Sequence, residues 1–303
     1  MMNKFEHITN KFENNNYKYL QNESMKKHTT FGIGGKVALL IFPKSLSELI
    51  EILKILKQYK VEIYFIGSGS NILISDNDME YAIISLKKTF KKIIFGTNVI
   101  TVEAGVMLGS LVRQLNNKKI TGYESLNGVP GTVGGALIMN AGAFGSEISN
   151  NFISARTINQ EGDIRKYNKG NISFSYRKSS FPSNEILIDA VFKCIKGNKE
   201  KINSKKLLTS KERKEKQPLK YRSAGSIFKN PKENAAGYLI DSSKLKGLQI
   251  GDAQISEKHA NFIINKGNAT SNDVMKLIEI IKKKVYSTTK IKLELEIILI
   301  GIK

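Results

Sequence analysis

Hydrophobic residues recur at helical spacing in some parts of the chain and in short β-rich runs in others. Between residues 46 and 56, leucine and isoleucine return every three or four positions, which predicts an amphipathic helix. Ser45 and Glu48 are spaced as a capping box at its start. β-branched and aromatic residues dominate 61–66, and a glycine and serine turn separates them from a second apolar run at 71–76. The first part of the chain therefore mixes helices and strands.

The same mixture continues through the middle of the chain. Short strand-like runs occupy much of 81–105, and a helical pattern follows at 107–119. Strand-like runs return at 152–195, where a turn signal interrupts them at 160–163. The segment 196–221 is rich in lysine and glutamate, which favours a solvated linker helix and indicates a domain boundary.

A smaller unit is predicted after this boundary. Val274, Leu277 and Ile281 share one face of a helix predicted over 270–285. The stretch "IKLELEIILIG" (291–301) predicts a closing strand. The fold class expected from these patterns is α+β, with a larger region first and a smaller α+β unit at the end.

Length and composition are those of a globular protein. The chain has 303 residues and 41% hydrophobic residues, enough for about two domains. It shows no secretory h-region and no apolar run near the roughly 18 residues of a membrane span, so we expect a cytoplasmic protein without one. The single cysteine, Cys194, excludes an internal disulfide and is predicted to be a buried strand thiol.

The formal net charge of +21 raises the question of nucleic-acid binding. The lysines are spread along the whole chain, whereas a nucleic-acid-binding surface gathers basic and aromatic residues on one element. We therefore predict no nucleic-acid partner. His7, His28 and His259 show no metal-ligand spacing, so no metal site is predicted either.

Two glycine-rich segments are the strongest chemical signal. They are "GSGSN" (67–71) and "GVPGTVGGALIMNAGAFG" (128–145). Glycine lets backbone amides approach a ligand closely, and successive amides form anion-binding nests, so the pair predicts a ligand with two phosphates. Neither segment is the G-x-G-x-x-G fingerprint or a P-loop. For "GSGSN" alone, a simple tight turn is an equally good interpretation. The candidate phosphate-binding residues are Gly67, Gly69, Ser70, Gly131, Thr132, Gly134 and Gly135.

Seven segments from residue 28 onward form an ordered series of motifs. In this order they resemble the UDP-N-acetylenolpyruvoylglucosamine reductase family. The resemblance implies an N-terminal extension (1–30), an FAD-binding region of the vanillyl-alcohol oxidase (PCMH) type (31–197) and a substrate-binding domain with the closing strand (198–303). The segments are "HTTFGIGG" (28–35), "GSGSNILISD" (67–76), "GVPGTVGGALIMNAGAFG" (128–145), "SYRKSSF" (175–181), "AGSIFKNP" (224–231), "AAGYLIDSSKLKGLQIGDAQISEKHANFIIN" (235–265) and "LELEIILIG" (293–301).

The resemblance also implies an activity. Enzymes of this family reduce UDP-N-acetylglucosamine-enolpyruvate to UDP-N-acetylmuramate in peptidoglycan precursor synthesis, with non-covalently bound FAD and with NADPH as hydride donor. Hydride reaches the β carbon of the enolpyruvyl group, and the α carbon must then be protonated. Such chemistry needs a proton donor and cationic or hydrogen-bonding groups where negative charge develops. The expected partners are these two small molecules, and a monomer is favoured.

Three residues match the catalytic positions of the family. Ser226 corresponds to the proton donor, and Arg177 to the arginine that pairs with the substrate carboxylate. Glu296 corresponds to the catalytic carboxylate of the last motif, although strand spacing alone does not separate it from Glu294. Outside the motifs, the serine would be interpreted as a turn hydroxyl, the arginine as a surface residue and the glutamates as a solvated strand face.

Binding residues follow from the same resemblance. Asn71, Asn140 and Ala141 join the seven phosphate-binding candidates as cofactor-binding residues. Substrate contacts are expected at Tyr176, Lys216, Asn230 and His259. The chain is compact after the arginine motif and thus resembles the shorter class of the family, which lacks a substrate-capping tyrosine loop.

The chain departs from the family pattern at two places, and two other functions remain open. Arg222 stands where proline is expected, and "HTTFG" replaces the usual Asn-Thr entry. A flavin oxidase that uses dioxygen is disfavoured, because such enzymes often tether FAD through His or Cys and the glycine-rich motifs contain neither. A basic binding protein with vestigial glycine loops is the other alternative; a visible absorption spectrum would separate it from a flavoenzyme.

Overall fold

The computed structural model describes residues 4–302. Short 3₁₀ turns lie at Met25–Lys27, Glu124–Leu126 and Ile148–Asn151. The α-helices of the described residues are α1 (Lys4–Asn14), α2 (Leu46–Gln58), α3 (Leu108–Asn117), α4 (Val133–Ile138), α5 (Lys199–Lys216), α6 (Ala236–Ser242) and α7 (Ser271–Thr289).

The strands are short and numerous. They are β1 (Tyr19–Ser24), β2 (Lys36–Ile41), β3 (Glu62–Ile66), β4 (Ile72–Ile74), β5 (Met79–Ser85), β6 (Ile93–Phe95), β7 (Val99–Glu103), β8 (Ile120–Thr121), β9 (Gly142–Ala143), β10 (Ser146–Glu147), β11 (Phe152–Asn159), β12 (Ile164–Asn168), β13 (Phe174–Ser175), β14 (Lys178–Ser179), β15 (Glu185–Lys193), β16 (Ile195–Lys196), β17 (Gln249–Ile250), β18 (Ala253–Ile255), β19 (Ile263–Asn265) and β20 (Ile298–Ile300).

The chain divides into two compact units, and each is built from three separate segments. Within the described residues, unit 1 comprises 4–23, 37–68 and 80–211, and unit 2 comprises 24–36, 69–79 and 212–302. These units differ from the linear division at 197/198 that the motifs predict. The reason is a long-range pairing, since β4 runs parallel to β20 with Ile72 opposite Ile298 and so belongs with the C-terminal segment.

Unit 1 contains a four-stranded and a five-stranded sheet. The four-stranded sheet has the order β1-β2-β5-β3, and the five-stranded sheet is antiparallel with the order β12-β11-β15-β7-β6. Helix α2 confirms the periodicity prediction, and the Ser45 hydroxyl accepts a hydrogen bond from the Glu48 amide at its start. Phe5, Ile8 and Phe12 of α1 belong to the buried core of this unit, so α1 packs within unit 1.

Unit 2 packs α6 and α7 with the three-stranded sheet β17-β18-β19. Helix α7 begins at a capping box formed by Thr270 and Asp273, and Val274, Leu277 and Ile281 are buried on it as predicted. The closing strand is shorter than the prediction of 291–301. Only β20 is a regular strand there, and Leu295 adds one isolated antiparallel bridge to Phe228.

The structure also tests the predictions for the turn at 160–163 and for Cys194. The turn at 160–163 is confirmed, because the Asn159 side-chain carbonyl accepts hydrogen bonds from the Glu161 and Asp163 amides between β11 and β12. Cys194 lies between β15 and β16 and is half-buried, so the prediction of a fully buried strand thiol is wrong. Across residues 4–302, no helix combines the length and apolar composition needed to cross a membrane.

Candidate active site

The glycine-rich segment of unit 1 builds the start of α4. Thr132 is the N-cap residue, and its hydroxyl accepts a hydrogen bond from the Gly135 amide at 3.3 Å. Gly131 precedes it with φ +131°, a conformation that other residues rarely adopt. Gly67 lies directly against the Thr132 hydroxyl, with no room for a Cβ atom. The structure thus brings Gly67 and the Gly131–Thr132 pair together within unit 1.

Gly134 and Gly135 have different surroundings. Gly134 is buried, its amide donates to the Ala104 carbonyl at 2.9 Å, and an added Cβ would lie 2.9 Å from the Ala104 Cβ. Gly135 is exposed, and an added Cβ would meet only the Thr132 hydroxyl, at 3.6 Å. Gly134 is therefore required for close packing, whereas Gly135 leaves an open cradle on the first turn of α4.

Gly135 provides a direct test of cofactor binding at this cradle. Gly135→Val should fold normally, because the residue has ordinary helical geometry and no packed neighbour, yet its branched side chain should fill the cradle and prevent FAD retention. The measurement is the ratio of flavin to protein absorbance after gel filtration. Gly170→Val, at an equally open glycine in the loop after β12, is the control and should keep its FAD. A stoichiometric FAD complex of Gly135→Val would exclude this placement.

Asn140 connects the same segment to the hairpin β13–β14. It is fully buried with φ +44°, and its side-chain amide donates to the Ser175 carbonyl at 2.9 Å and to the Glu147 carboxylate at 2.7 Å. The Ser179 hydroxyl donates to the Ile138 carbonyl at 2.7 Å. The buried Asn140 Oδ1 has no hydrogen-bond partner among the described residues. The segment after α4 therefore holds the hairpin in place and presents one buried acceptor.

Arg177 lies at the tip of this hairpin. Its φ of +56° is the left-handed conformation, which is uncommon outside glycine and often marks functional positions. Its guanidinium donates to the Gly142 carbonyl at 2.9 Å and lies 4.9 Å from the centre of the Tyr176 ring. Ala141, the residue before Gly142, is fixed by a hydrogen bond from its backbone amide to the Ala136 carbonyl at 2.7 Å. Unit 1 thus brings Tyr176 and Arg177 to the glycine-rich segment.

Ser226 belongs to unit 2 and follows a glycine with an open surface. Gly225 has φ +78°, and a Cβ built on it would meet no atom within 4 Å. The Ile227 amide after the serine donates to the Asn261 carbonyl at 2.8 Å. The Asn261 side chain both accepts from the Phe228 amide at 2.9 Å and donates to the Phe228 carbonyl at 2.8 Å. The backbone on the C-terminal side of Ser226 is therefore held at three points.

Asn261 is a structural residue of the site that the sequence did not reveal. It is buried within the motif "EKHANFIIN", where only His259 stood out as a candidate. The sole sequence signal was an asparagine among apolar residues, and such a residue normally needs buried hydrogen-bond partners. Those partners lie on the serine segment, 33 positions away.

Glu296 lies on the segment that pairs with the serine segment. Its amide donates to the Ile227 carbonyl at 2.8 Å, and its own carbonyl accepts from the Asn71 side chain at 2.9 Å. Glu296 is half-buried, whereas the Glu294 side chain is 78% exposed and pairs with the Lys229 ammonium at 3.5 Å. Burial therefore separates the two carboxylates that spacing alone left equivalent.

Gly69, Ser70 and Asn71 of the "GSGSN" turn (67–71) belong to unit 2. Gly69 has φ +69° and lies against the His28 carbonyl with no room for a Cβ atom, and its own carbonyl accepts from the Thr30 amide at 3.0 Å. Ser70 is half-buried, and Asn71 forms the contact with Glu296 described above. Within unit 2 the structure therefore brings Asn71 to Glu296 and pairs the Glu296 segment with that of Ser226.

Two further candidates of unit 2, Asn230 and Lys216, are exposed. The Asn230 side-chain carbonyl accepts from the Ala236 amide at 3.0 Å and so fixes the start of α6. Lys216 is 68% exposed at the end of α5 and pairs with Glu212 at 3.2 Å. In residues 4–302 no group of three or more His, Cys, Asp or Glu side chains is arranged to hold a metal ion.

His259 is enclosed by its own segment. Its Nδ1 accepts from the Asn261 amide at 3.3 Å, and its ring centre lies 4.8 Å from that of Phe262. Burial lowers the pKa of His259, and the positive charge of Lys246 acts in the same direction. The imidazole is therefore neutral and accepting in the folded protein at neutral pH.

This pKa shift predicts a pH dependence of stability. Unfolded histidine has a pKa of about 6.5. Because folding lowers the pKa of His259, its contribution to the free energy of unfolding is present above pH ~6.5 and is lost as the pH falls towards the folded pKa. Urea unfolding at pH 7.5 and 5.5 should therefore show a smaller loss of stability for His259→Gln than for the wild type. His7→Gln, at an exposed histidine of α1, should match the wild type; equal losses in all three proteins would contradict the prediction.

Comparison with known proteins gives consistent matches over almost the whole chain. Residues 37–168 match the family described as FAD binding domain, and residues 217–300 match the family described as UDP-N-acetylenolpyruvoylglucosamine reductase, C-terminal domain. The chain is 42% identical over 280 residues to the UDP-N-acetylenolpyruvoylglucosamine reductase of Clostridium kluyveri, which covers 92% of each protein. The corresponding enzyme of Caldanaerobacter subterraneus is 41% identical over 283 residues, which is 93% of each protein.

Solved structures agree with these matches. The crystal structure of UDP-N-acetylenolpyruvylglucosamine reductase (MurB) from Thermus caldophilus superposes with a TM-score of 0.81 at 31% identity and covers 94% of this chain and 99% of that one. Physcomitrella patens BBE-like 1 shares only 16% identity at a TM-score of 0.50, over 62% of this chain and 44% of that one, and is similar in fold alone. The predicted α+β fold with an FAD-binding domain is thereby confirmed.

Proposed function

Because the chain belongs to the UDP-N-acetylenolpyruvoylglucosamine reductase family, we propose that Ser226, Glu296 and Arg177 perform the chemistry of its reaction. The protein is an FAD-dependent oxidoreductase that uses NADPH to reduce UDP-N-acetylglucosamine-enolpyruvate to UDP-N-acetylmuramate in peptidoglycan precursor synthesis. When bound, FAD supplies the hydride that the β carbon of the enolpyruvyl group receives.

The residues present fit a bound dinucleotide. Within unit 1, the open cradle at Gly135 leaves space for a ligand, and the buried Asn140 Oδ1, which has no hydrogen-bond partner among residues 4–302, offers it a polar atom. We propose that the glycine segments hold FAD through backbone amides, which suit a pyrophosphate. The remaining residues proposed to hold it are Gly67, Gly69, Ser70, Asn71, Gly131, Thr132 and Ala141. The Gly134 amide is already bonded to the Ala104 carbonyl, so Gly134 is proposed to shape the segment through packing and not through an amide contact with FAD.

Ser226 is proposed as the acid that protonates the α carbon. A serine hydroxyl is a weak acid, so it can act only where neighbouring groups stabilise its conjugate base or return a proton to it. Its fixed backbone suits this role, because a proton donor has to be held within hydrogen-bond distance of the atom it protonates. The three backbone contacts to Asn261 on its C-terminal side provide that rigidity.

Glu296 and Arg177 are proposed to control charge around the substrate. The Glu296 carboxylate acts as a catalytic group beside the serine segment, and Arg177 pairs with the substrate carboxylate while the charge of the enolate develops. A guanidinium is permanently charged and planar, so it matches a carboxylate better than an ammonium does. The ring of Tyr176 under the guanidinium stabilises its orientation.

One observation supports the assignment most strongly. The Glu296 amide donates to the Ile227 carbonyl at 2.8 Å, so the segments of the proposed acid and the proposed carboxylate are directly paired although they lie at distant positions of the sequence. The exposed Glu294 next to it has a surface partner in Lys229 and no such burial. This contrast favours a functional role for the second glutamate only.

Several finer points remain proposals. Tyr176, Lys216, Asn230 and His259 are proposed to contact the substrate, with Lys216 the least constrained because its side chain is exposed. We also propose that the enzyme acts in the cytoplasm and as a monomer, and that its substrate site closes without a capping tyrosine loop.

Anaerobic stopped-flow spectroscopy tests the proposed function. Mixing the oxidised protein with NADPH should bleach the flavin absorbance, and adding UDP-N-acetylglucosamine-enolpyruvate should then restore it. A protein that is colourless and cannot be reconstituted with FAD would exclude both a reductase and an oxidase. Bleaching that only dioxygen reverses would instead indicate a flavin oxidase.

A further inference from the structure

Arg222 is bound to a loop that lies almost 200 positions earlier in the sequence. Its guanidinium donates to the backbone carbonyls of Lys26 and Thr29, both at 3.0 Å, and approaches the Thr30 carbonyl at 3.5 Å. The Lys26 carbonyl belongs to the 3₁₀ turn Met25–Lys27, and the Thr29 carbonyl follows directly after the C-cap residue of that turn, His28. Helix-terminal carbonyls of this kind are common acceptors for basic side chains. Both segments belong to unit 2.

The same loop contacts the residues next to Arg222. The Thr30 hydroxyl donates to the Ser223 carbonyl at 2.8 Å, and the Thr30 amide donates to the Gly69 carbonyl at 3.0 Å. The Arg222 carbonyl accepts from the Asn265 amide at 2.8 Å, and the Asn265 side chain donates to the Phe31 carbonyl at 3.0 Å. Loop 26–32 is therefore hydrogen-bonded both to the segment that leads into Ser226 and to Gly69 of the "GSGSN" turn.

Gly32 leaves the space that the Arg222 guanidinium occupies. A Cβ built on Gly32 would lie 2.5 Å from the Arg222 Cζ, and its φ of +72° disfavours any other residue. The guanidinium plane thus rests on bare backbone while its edge reaches the carbonyls. The "HTTFG" entry (28–32) and Arg222 are the chain's two departures from its family pattern, and the structure shows that the arginine contacts this entry.

The contacts require a guanidinium in particular. It offers five donors in one plane and remains charged, so it can reach several carbonyls that converge from one side. Lysine would place a single ammonium there, and proline has no side-chain donor at all. Because the charge of Arg222 is directed to backbone carbonyls, its effect on a reaction has to be transmitted through the loop and the serine segment.

We propose that Arg222 is a positioning residue that holds the segment 222–226 against loop 26–32 and so orients the Ser226 hydroxyl for proton transfer. The inference rests on the proposed role of Ser226. It assigns to this chain a side-chain anchor at the position where its family pattern has the rigid backbone of proline.

The test uses Arg222→Ala, Arg222→Lys and Arg222→Pro in the FAD-loaded enzyme, with Lys220→Ala at an exposed lysine of the same segment as control. Arg222→Ala and Arg222→Lys should reduce normally with NADPH but reoxidise with the enolpyruvyl substrate about 10- to 100-fold more slowly, as expected for a misplaced reacting group. The solvent deuterium isotope effect on reoxidation should also rise. Hydrogen exchange followed by mass spectrometry, with or without FAD, should be faster in peptides covering 26–33 and 222–228.

Each other result overturns the inference. Wild-type reoxidation in Arg222→Ala excludes the positioning role, and so does an equal loss of both half-reactions, which would indicate a purely structural residue. Arg222→Pro should reoxidise as slowly as Arg222→Ala, because proline has no side-chain donor. Wild-type reoxidation in Arg222→Pro would show that backbone stiffness alone is needed and would exclude a role for the guanidinium. Ser226→Ala measured in parallel separates this inference from the proposed function, because wild-type reoxidation in that variant removes the proton donor whatever Arg222 does.

Discussion

Replacing Ser226 with alanine should separate the two half-reactions. Reduction by NADPH should stay near the wild-type rate, because the substitution changes none of the residues proposed to hold FAD. Reoxidation by UDP-N-acetylglucosamine-enolpyruvate should slow by about 10²–10⁴-fold, the usual effect of losing a positioned general acid. Pre-steady-state absorbance traces of the flavin measure both rates in one instrument.

The structure explains why the loss should be so selective. Ser226 is followed by a segment that Asn261 holds through backbone contacts, and none of these contacts involves the serine hydroxyl. The variant should therefore keep its fold, its FAD and its substrate affinity. Because hydride transfer and protonation are coupled through the enolate, the substrate should bind without reoxidising the flavin.

Ser223→Ala is the matched control. Its hydroxyl accepts a long hydrogen bond from the Gly225 amide at 3.4 Å, while the contact with Thr30 uses the backbone carbonyl of Ser223 and survives the substitution. This variant should behave almost as the wild type. If Ser226→Ala also reoxidised at the wild-type rate, the proton donor would have to be Glu296 or a bound water.

The sequence predicted those elements that are determined by residues close together in the chain. Helices α2 and α7 were predicted from their apolar spacing, because side chains three and four positions apart share one face, and the N-cap residue of α2 was predicted as well. The glycine segment around Thr132 was visible for the same reason, since it departs from ordinary composition within a few residues. The roles of Arg177 and Ser226 came only from the order of motifs.

The remainder depends on contacts between distant residues, which no local pattern encodes. Asn71 meets Glu296 across 225 positions, and the parallel pairing of β4 with β20 places residues 69–79 in unit 2. The same kind of contact shortened the closing strand, because the residues before β20 pair with the serine segment at one bridge and not along a sheet. Asn261 and the anchor at Arg222 were missed because their partners lie on other segments.

The second large effect is expected from replacing Glu296, one of the two glutamates in the segment that precedes β20. Glu296→Gln should bind FAD and accept hydride from NADPH normally but turn over with the enolpyruvyl substrate about 10²-fold or more slowly, as expected for a catalytic acid or base. The amide keeps the size of the side chain and leaves the backbone contacts with Ile227 and Asn71 intact. The change therefore removes charge and proton exchange without disturbing the pairing with the serine segment.

Glu294→Gln is the control that makes this prediction decisive. Glu294 is exposed, and its ion pair with Lys229 at 3.5 Å is of a kind that contributes only about 0.2–1 kcal/mol to stability. Its loss should leave steady-state turnover and the thermal midpoint close to those of the wild type. The decisive comparison is the pH profile of reoxidation, which should change in Glu296→Gln and not in Glu294→Gln. If both variants lost activity equally, burial would not identify the catalytic carboxylate, and the assignment of Glu296 would fail.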